Sequence, residues 1–268
     1  MTQSFPVKLK GHAGSLHGVT WPNDEPRYVA VLSHGYGEHL GRYRHVVNAL
    51  HDHGAMVAGL DHAGHGRSDG EPVSIEDFEH AVDDLQKLLE YVHAGRADLP
   101  VVLIGHSMGG MIAARYAQRH GDELTALVLT GPVIGRWETA EQLLAEDEIP
   151  DTAIDPETLS RDPKVREAYE EDELVYRGPF QRETLEALQA CLRRIHEEGS
   201  IELPTLWIHG EQDELVPVGP SREGVRELVP EEHRTEDVRS GARHEVFNEI
   251  DHDAVLDEVT EFIDRHIG

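Results

Sequence analysis

Two kinds of hydrophobic pattern alternate along this chain. Short apolar runs at residues 28–33, 55–60, 101–104, 124–130 and 205–209 read as buried strands. Longer stretches between them repeat apolar residues every three or four positions, as an amphipathic helix does. Residues 44–53 carry Val46, Val47 and Leu50 on one side. Residues 74–93 carry Ile75, Phe78, Val82, Leu85, Leu89 and Val92, with Ser74 and Asp77 as a variant capping box at the start. Residues 110–120 form a third helix, and a closing helix from Asp253 is marked by Val255, Val259, Phe262 and Ile263. Segments 7–10 and 16–21 read as an antiparallel entry, and 235–239 as a polar strand. Strand alternating with helix predicts an α/β fold with a mostly parallel central sheet flanked by helices.

The alternation breaks between Gly131-Pro132 and Pro204. That stretch is acidic, and its candidate elements are all helical: 138–146, 163–170 and 182–197. The expected organisation is a core of residues 1–134 and 202–268 with a helical cap, residues 135–201, inserted over the sheet edge. Ligands of open α/β sheets bind beyond the carboxyl ends of the strands, so the cap would wall the site.

Composition narrows the partners. The 268 residues hold 52 Asp and Glu against 24 Lys and Arg, a formal charge of −28. Such a surface repels nucleic acid and anionic membranes. The lysines are Lys8, Lys10, Lys87 and Lys164. Few lysines among many carboxylates suit salt adaptation or the acidic proteome of a high-GC genome. No apolar run is long enough to span a bilayer, and the first residues lack a secretion-signal pattern, so a cytoplasmic location is expected. Cys191 is the single cysteine, which excludes an internal disulfide, and its spacing with Leu185, Leu188, Leu192 and Ile195 makes it a core thiol. The nineteen histidines include His51-x-His53 and His62-x-x-His65 but form no full ligand set, so no metal is expected.

The chemistry centres on Gly105-His106-Ser107-Met108-Gly109, which reads Gly-x-Ser-x-Gly between a predicted strand and a predicted helix. This is the pattern of the nucleophile elbow in α/β-hydrolases, where glycines admit a tight turn and the serine hydroxyl stands out at the sheet edge. A serine needs a base, and in this fold the acid and then the histidine follow it in the chain. Asp213, after the 205–209 strand, is the candidate acid, with Glu211 and Glu214 as alternatives. His244, in the loop before the last helix, is the candidate base, with His252 as the alternative. The backbone N–H groups of Met108 and Tyr36 are the candidate oxyanion donors. Gly35-x-Gly37 after a strand also raises dinucleotide binding, but the third glycine, Gly41, falls one residue late.

Five blocks together resemble the monoacylglycerol lipase family. They are His34 to Tyr43 (HGYGEHLGRY), Gly59 to Ser68 (GLDHAGHGRS), Gly105 to Gly110 (GHSMGG), His209 to Pro217 (HGEQDELVP), and His244-Glu245 with Asn248-Glu249. Arg161-Asp162-Pro163 and Leu174 to Gly178 are similar to that family's cap. The resemblance implies an α/β-hydrolase, monomeric or homodimeric, that cleaves monoacylglycerol to fatty acid and glycerol without a cofactor. It implies Ser107, Asp213 and His244 as the triad, and Glu38, Arg42, Asp61 and His65 as braces of the loops. A one-chain tunnel would be lined by Leu143, Leu144, Leu185 and Leu188, and the acidic cap allows at most weak peripheral membrane contact. Lysophospholipase, short-chain carboxylesterase, thioesterase and aminopeptidase remain as alternative enzymes, and a hydrolase-like small-ligand receptor as a non-enzyme.

Overall fold

The computed structural model describes residues 2–94, 96 and 98–268. The strands are β1 (Phe5–Lys10), β2 (Ser15–Trp21), β3 (Tyr28–Ser33), β4 (Ala55–Leu60), β5 (Val101–His106), β6 (Ala126–Thr130), β7 (Thr205–Gly210) and β8 (Arg234–Arg239). They form one sheet in the order β1-β2-β4-β3-β5-β6-β7-β8. β1 and β2 enter antiparallel, and from β4 to β8 all neighbours are parallel. Val31, for example, lies opposite Ala58 of β4 and Leu103 of β5.

Continuous apolar runs follow from this placement. Successive side chains of a strand point to opposite faces, and both faces of a parallel sheet are covered. Val29, Val31, Leu103, Leu127, Leu129 and Trp207 pack on one face, with α2 (Phe78–His93) and α3 (Met108–His120). Ala30, Leu32, Ile104, Val128, Leu206 and Ile208 pack on the other, against α1 (Arg44–Asp52) and α8 (His252–Asp264). Cys191 lies in the first core, where burial pushes its thiol up to about 12 and keeps it protonated.

Between β6 and β7 the described residues form α4 (Glu138–Ala145), α5 (Pro163–Glu171) and α6 (Arg182–Glu197), with a 3-10 turn at Pro156–Thr158 and no strand. Asp162 starts α5 by accepting from the Lys164 N–H, with Pro163 in the first turn. Polar ties fasten this segment to the sheet side. The Tyr176 N–H donates to Gly37 O at 2.8 Å. Arg161 pairs with Glu249 at 2.8 Å and Asp251 at 2.9 Å, and His39 meets Asp172 at 2.9 Å. After β7 comes α7 (Val218–Leu228). Among the described residues no helix is long and apolar enough to cross a membrane.

One expected boundary moves. α2 starts at Phe78, not at residue 74, with Asp77 as its N-cap accepting from the Glu79 N–H at 3.0 Å. Ser74 takes no part in the cap and donates to Glu183 at 2.8 Å. The Ile75 N–H donates to Thr184 Oγ1 at 2.9 Å, and that hydroxyl donates to Val73 O at 2.9 Å. α6 therefore holds residues 73–75 out of the helix, with Val73 at a φ of 52°, an outlier for a β-branched residue.

Candidate active site

Ser107 follows β5 and precedes α3, with φ 55° and ψ −120°. A non-glycine residue in that region stores strain, and only the surrounding turn enforces it. The flanking glycines permit the turn: a Cβ at Gly109 would overlap the Ser33 carbonyl, and one at Gly105 would overlap the Gly109 carbonyl. The Ser107 N–H donates to Thr130 O at 3.0 Å, while its carbonyl accepts from Gly110 and from Val133 at 3.1 Å. The backbone is thus pinned on both sides, and the side chain faces a cavity shared with His244.

His244 Nδ1 donates to Asp213 Oδ2 at 2.7 Å. The other oxygen of Asp213 accepts from the N–H groups of Leu215 at 3.0 Å and Val216 at 2.8 Å. His209 Nε2 lies 3.1 Å from the first. Burial pushes the Asp213 carboxyl up, but His244 and His209 outweigh it and hold the group well below the usual carboxylate range. Burial pulls His244 down, Asp213 outweighs that, and the imidazole stands above its ordinary value. With Nδ1–H committed to a carboxylate, Nε2 is left as the free base of the ring. The Ser107 hydroxyl makes no hydrogen bond among the described residues.

The alternatives lie elsewhere. Glu211 is on the surface, accepting from Ser240 Oγ and the Gly241 N–H, each at 2.9 Å. Glu214 is exposed, and His252 donates through Nδ1 to Glu249 O at 2.8 Å. The loop after β3 abuts the serine closely, since a Cβ at Gly35 would sit 3.2 Å from Ser107 Cβ. Among the described residues neither the Tyr36 nor the Met108 N–H has a hydrogen-bond acceptor. The Tyr36 ring stacks on Phe180 at 4.8 Å between centroids.

Behind this loop runs a buried ionic relay. Glu38 accepts from the Gly35 N–H at 2.7 Å, from Tyr43 at 2.6 Å and from Arg42 at 2.7 Å. Arg42 also grips both oxygens of Glu245, at 2.6 and 2.8 Å, and lies 5.0 Å from the Tyr169 ring. One guanidinium so joins the loop after β3, the residue following His244, and α5. Asp61 braces the same loop through the Leu40 N–H at 2.9 Å and the Arg67 N–H at 2.9 Å. His65 is buried and donates to Ala63 O, and burial pulls it down to about 3, so it is neutral. No group of three metal-ligating side chains occurs among the described residues.

The cavity beside Ser107 is narrow, about 40 Å³ in volume. Leu185 and Leu188 line it, whereas Leu143 and Leu144 pack partly buried against the core from α4 and do not. Trp137, Phe180 and Tyr169 are lining residues that the sequence pattern did not single out, whereas Glu245 stood in the His244-Glu245 block of the family resemblance without a role.

A strained serine at a strand-to-helix turn, facing a histidine–aspartate pair at the carboxyl ends of a parallel sheet, defines a hydrolase of the α/β-hydrolase class. Residues 24–251 match the family described as serine aminopeptidase, S33, and the chain belongs to that family. It is 36% identical over 262 residues to a monoacylglycerol lipase of Mycolicibacterium smegmatis, covering 94% of this chain and 93% of that protein. It is 26% identical to the phospholipase YtpA of Bacillus subtilis, covering 92% and 99%. Among solved structures, the Paleococcus ferrophilus monoacylglycerol lipase superposes with a TM-score of 0.77 at 27% identity, covering 92% of this chain and 99% of that one.

Proposed function

We propose that this protein hydrolyses esters of single-chain lipids, monoacylglycerol first among them, through an acyl-enzyme on Ser107. The observation that carries the reading is the two-sided wall of the cavity. Trp137, Phe180, Leu185 and Leu188 offer apolar surface for one acyl chain, and Glu38, Arg42, Tyr169 and Glu245 form a polar cluster for a polyol. The relative named a monoacylglycerol lipase, at 36% identity across nearly all of both chains, supports the same substrate. Residues 135–201 serve as the cap that encloses the chain.

In this mechanism His244 Nε2 takes the Ser107 proton as Oγ attacks the ester carbonyl. The N–H groups of Tyr36 and Met108 stabilise the oxyanion, on the order of 3 kcal/mol each. Asp213 holds the imidazole tautomer and stabilises the cation. His244 then protonates the departing glycerol oxygen, and water enters by the reverse sequence to release the fatty acid. Aminopeptidase chemistry needs a free carboxylate for the substrate ammonium, but Glu38 and Glu245 are both occupied by Arg42.

The test is hydrolysis of mono-, di- and triacylglycerols of one acyl chain in micelle-free conditions, beside lysophospholipid and acetyl esters. The expected result is a clear preference for monoacylglycerol. Equal rates on all three glycerides, or a strong preference for lysophospholipid or acetyl esters, would overturn the substrate assignment.

A further inference from the structure

A second cleft lies along the C-terminal half of α6. It runs between α6, α7 and residues 134–136 and has a volume of about 500 Å³, within the range of small-molecule sites. Its floor is apolar: Ile134, Leu192, Ile195 and Leu228 are buried residues that line it. Its polar groups are concentrated on one helix. Gln189, Arg193 and His196 sit at spacings that place them on one face of α6, and all three line the cleft. The Gln189 Nε2 atom is buried and has no hydrogen-bond acceptor. An unpaired buried amide donor is destabilising, and a ligand oxygen that accepts from it would relieve that.

The rim charges are mostly committed. Arg136 pairs with Glu138 at 3.2 Å and Glu141 at 2.7 Å, and His196 meets Glu227 at 3.5 Å. Arg193 is different. It has no carboxylate within ion-pair distance among the described residues, although Glu197 follows it by one helical turn. In a chain of net charge −28, an unpaired guanidinium one turn from an orphaned amide donor, above an apolar floor, suits one chemistry: a carboxylate on an apolar chain.

We propose that this cleft binds a free fatty acid, with the carboxylate between Gln189 Nε2 and Arg193 and the chain on Ile134, Leu192, Ile195 and Leu228. The choice of a fatty acid rests on the function proposed above, since that reaction releases one. The cleft and the catalytic cavity share walls. α6 carries Leu185 and Leu188 into the cavity, and Val133, next to Ile134, donates to the Ser107 carbonyl at 3.1 Å. A fatty acid in the cleft would press on both elements, which makes it a site of product feedback separate from the catalytic cavity.

The experiment uses protein whose Ser107 has been blocked with a fluorophosphonate and measures laurate binding by calorimetry below the micelle concentration. Blocking removes the catalytic cavity as a site, and no turnover is needed, so failure here leaves the substrate assignment untouched. Laurate should bind with one equivalent. Arg193→Glu and Arg193→Met should each weaken it at least tenfold, and Gln189→Leu several-fold. Dodecanol, which lacks the carboxylate, and acetate, which lacks the chain, should both bind at least tenfold more weakly than laurate. In the unblocked protein laurate should show a non-competitive component of inhibition that Arg193→Glu removes while kcat/KM without laurate is unchanged. No laurate binding to the blocked protein, unchanged affinity in both Arg193 variants, or dodecanol binding as tightly as laurate would overturn the proposal.

Discussion

Arg42 is the residue whose loss tests the construction of the site most sharply. Its side chain is 9% exposed, and those of Glu38 and Glu245 are 4% and 5% exposed. Arg42→Met preserves much of the volume but leaves two buried carboxylates without their cation. Breaking a buried ion pair from one side costs about 3–5 kcal/mol. The titration of Glu38 gives the pH dependence. Burial pushes its carboxyl up, but Arg42 and smaller contributions outweigh it and bring it down from 4.5 to about 2. The sign follows from proton binding. The native carboxyl holds its proton less well than the unfolded one, so this stabilisation is complete above pH 4.5 and is lost as pH falls toward 2. In Arg42→Met the largest lowering influence is gone while burial still raises the same group, so the variant recovers on acidification. Urea unfolding at pH 7.5 and 4.5 should give a destabilisation of about 3–5 kcal/mol at the higher pH and less than half of it at the lower. Adding Glu38→Gln and Glu245→Gln should restore most of the loss. A destabilisation below about 1 kcal/mol, or one independent of pH, would refute the reasoning.

The acid limb of kcat/KM should have its midpoint above 6.5, because Asp213 outweighs burial in raising His244 and the base must be neutral to act; a midpoint below 6.5 would contradict the pairing. Asp213→Asn should lower the rate by about four orders of magnitude and move that limb to lower pH, whereas near-normal rates would return the acid role to Glu211 or Glu214. The melting temperature should rise with NaCl as the Debye length shrinks from about 10 Å at 0.1 M to 3 Å at 1 M, since a net charge of −28 repels itself; a flat or falling trend would favour genome composition as its origin. Activity should climb with acyl chain length, each buried CH₂ adding up to about 0.8 kcal/mol, and then drop once the cavity is full; a profile without a maximum would argue against an enclosed chain.

The sheet was legible in the sequence because its parallel strands are buried on both faces. Burial on both faces turns each inner strand into an apolar run, as in residues 55–60 and 101–104. Ser107, Asp213 and His244 were legible through local signals: the glycine turn, the loop after β7 and the loop before α8. What escaped depends on long-range contact. The start of α2 was misplaced because residues 73–75 answer to Thr184, 109 positions beyond Ile75. Arg42 and Glu245 are 203 positions apart, so no periodicity announces their pairing. The apolar spacing of α4 shows that Leu143 and Leu144 are packed but not against what, and the structure sets them beside the core instead of the cavity. Trp137, Phe180 and Tyr169 reach the cavity from the loops and helices between β6 and β7, for whose packing sequence spacing carries no signature.

The central claim is that Ser107 is the nucleophile. Its most direct test is peptide mapping by mass spectrometry after treatment with a fluorophosphonate. One adduct per chain is expected, on the peptide containing Ser107, with none in Ser107→Ala and strong loss in His244→Ala. An adduct on another residue, or labelling that survives intact in Ser107→Ala, would contradict it.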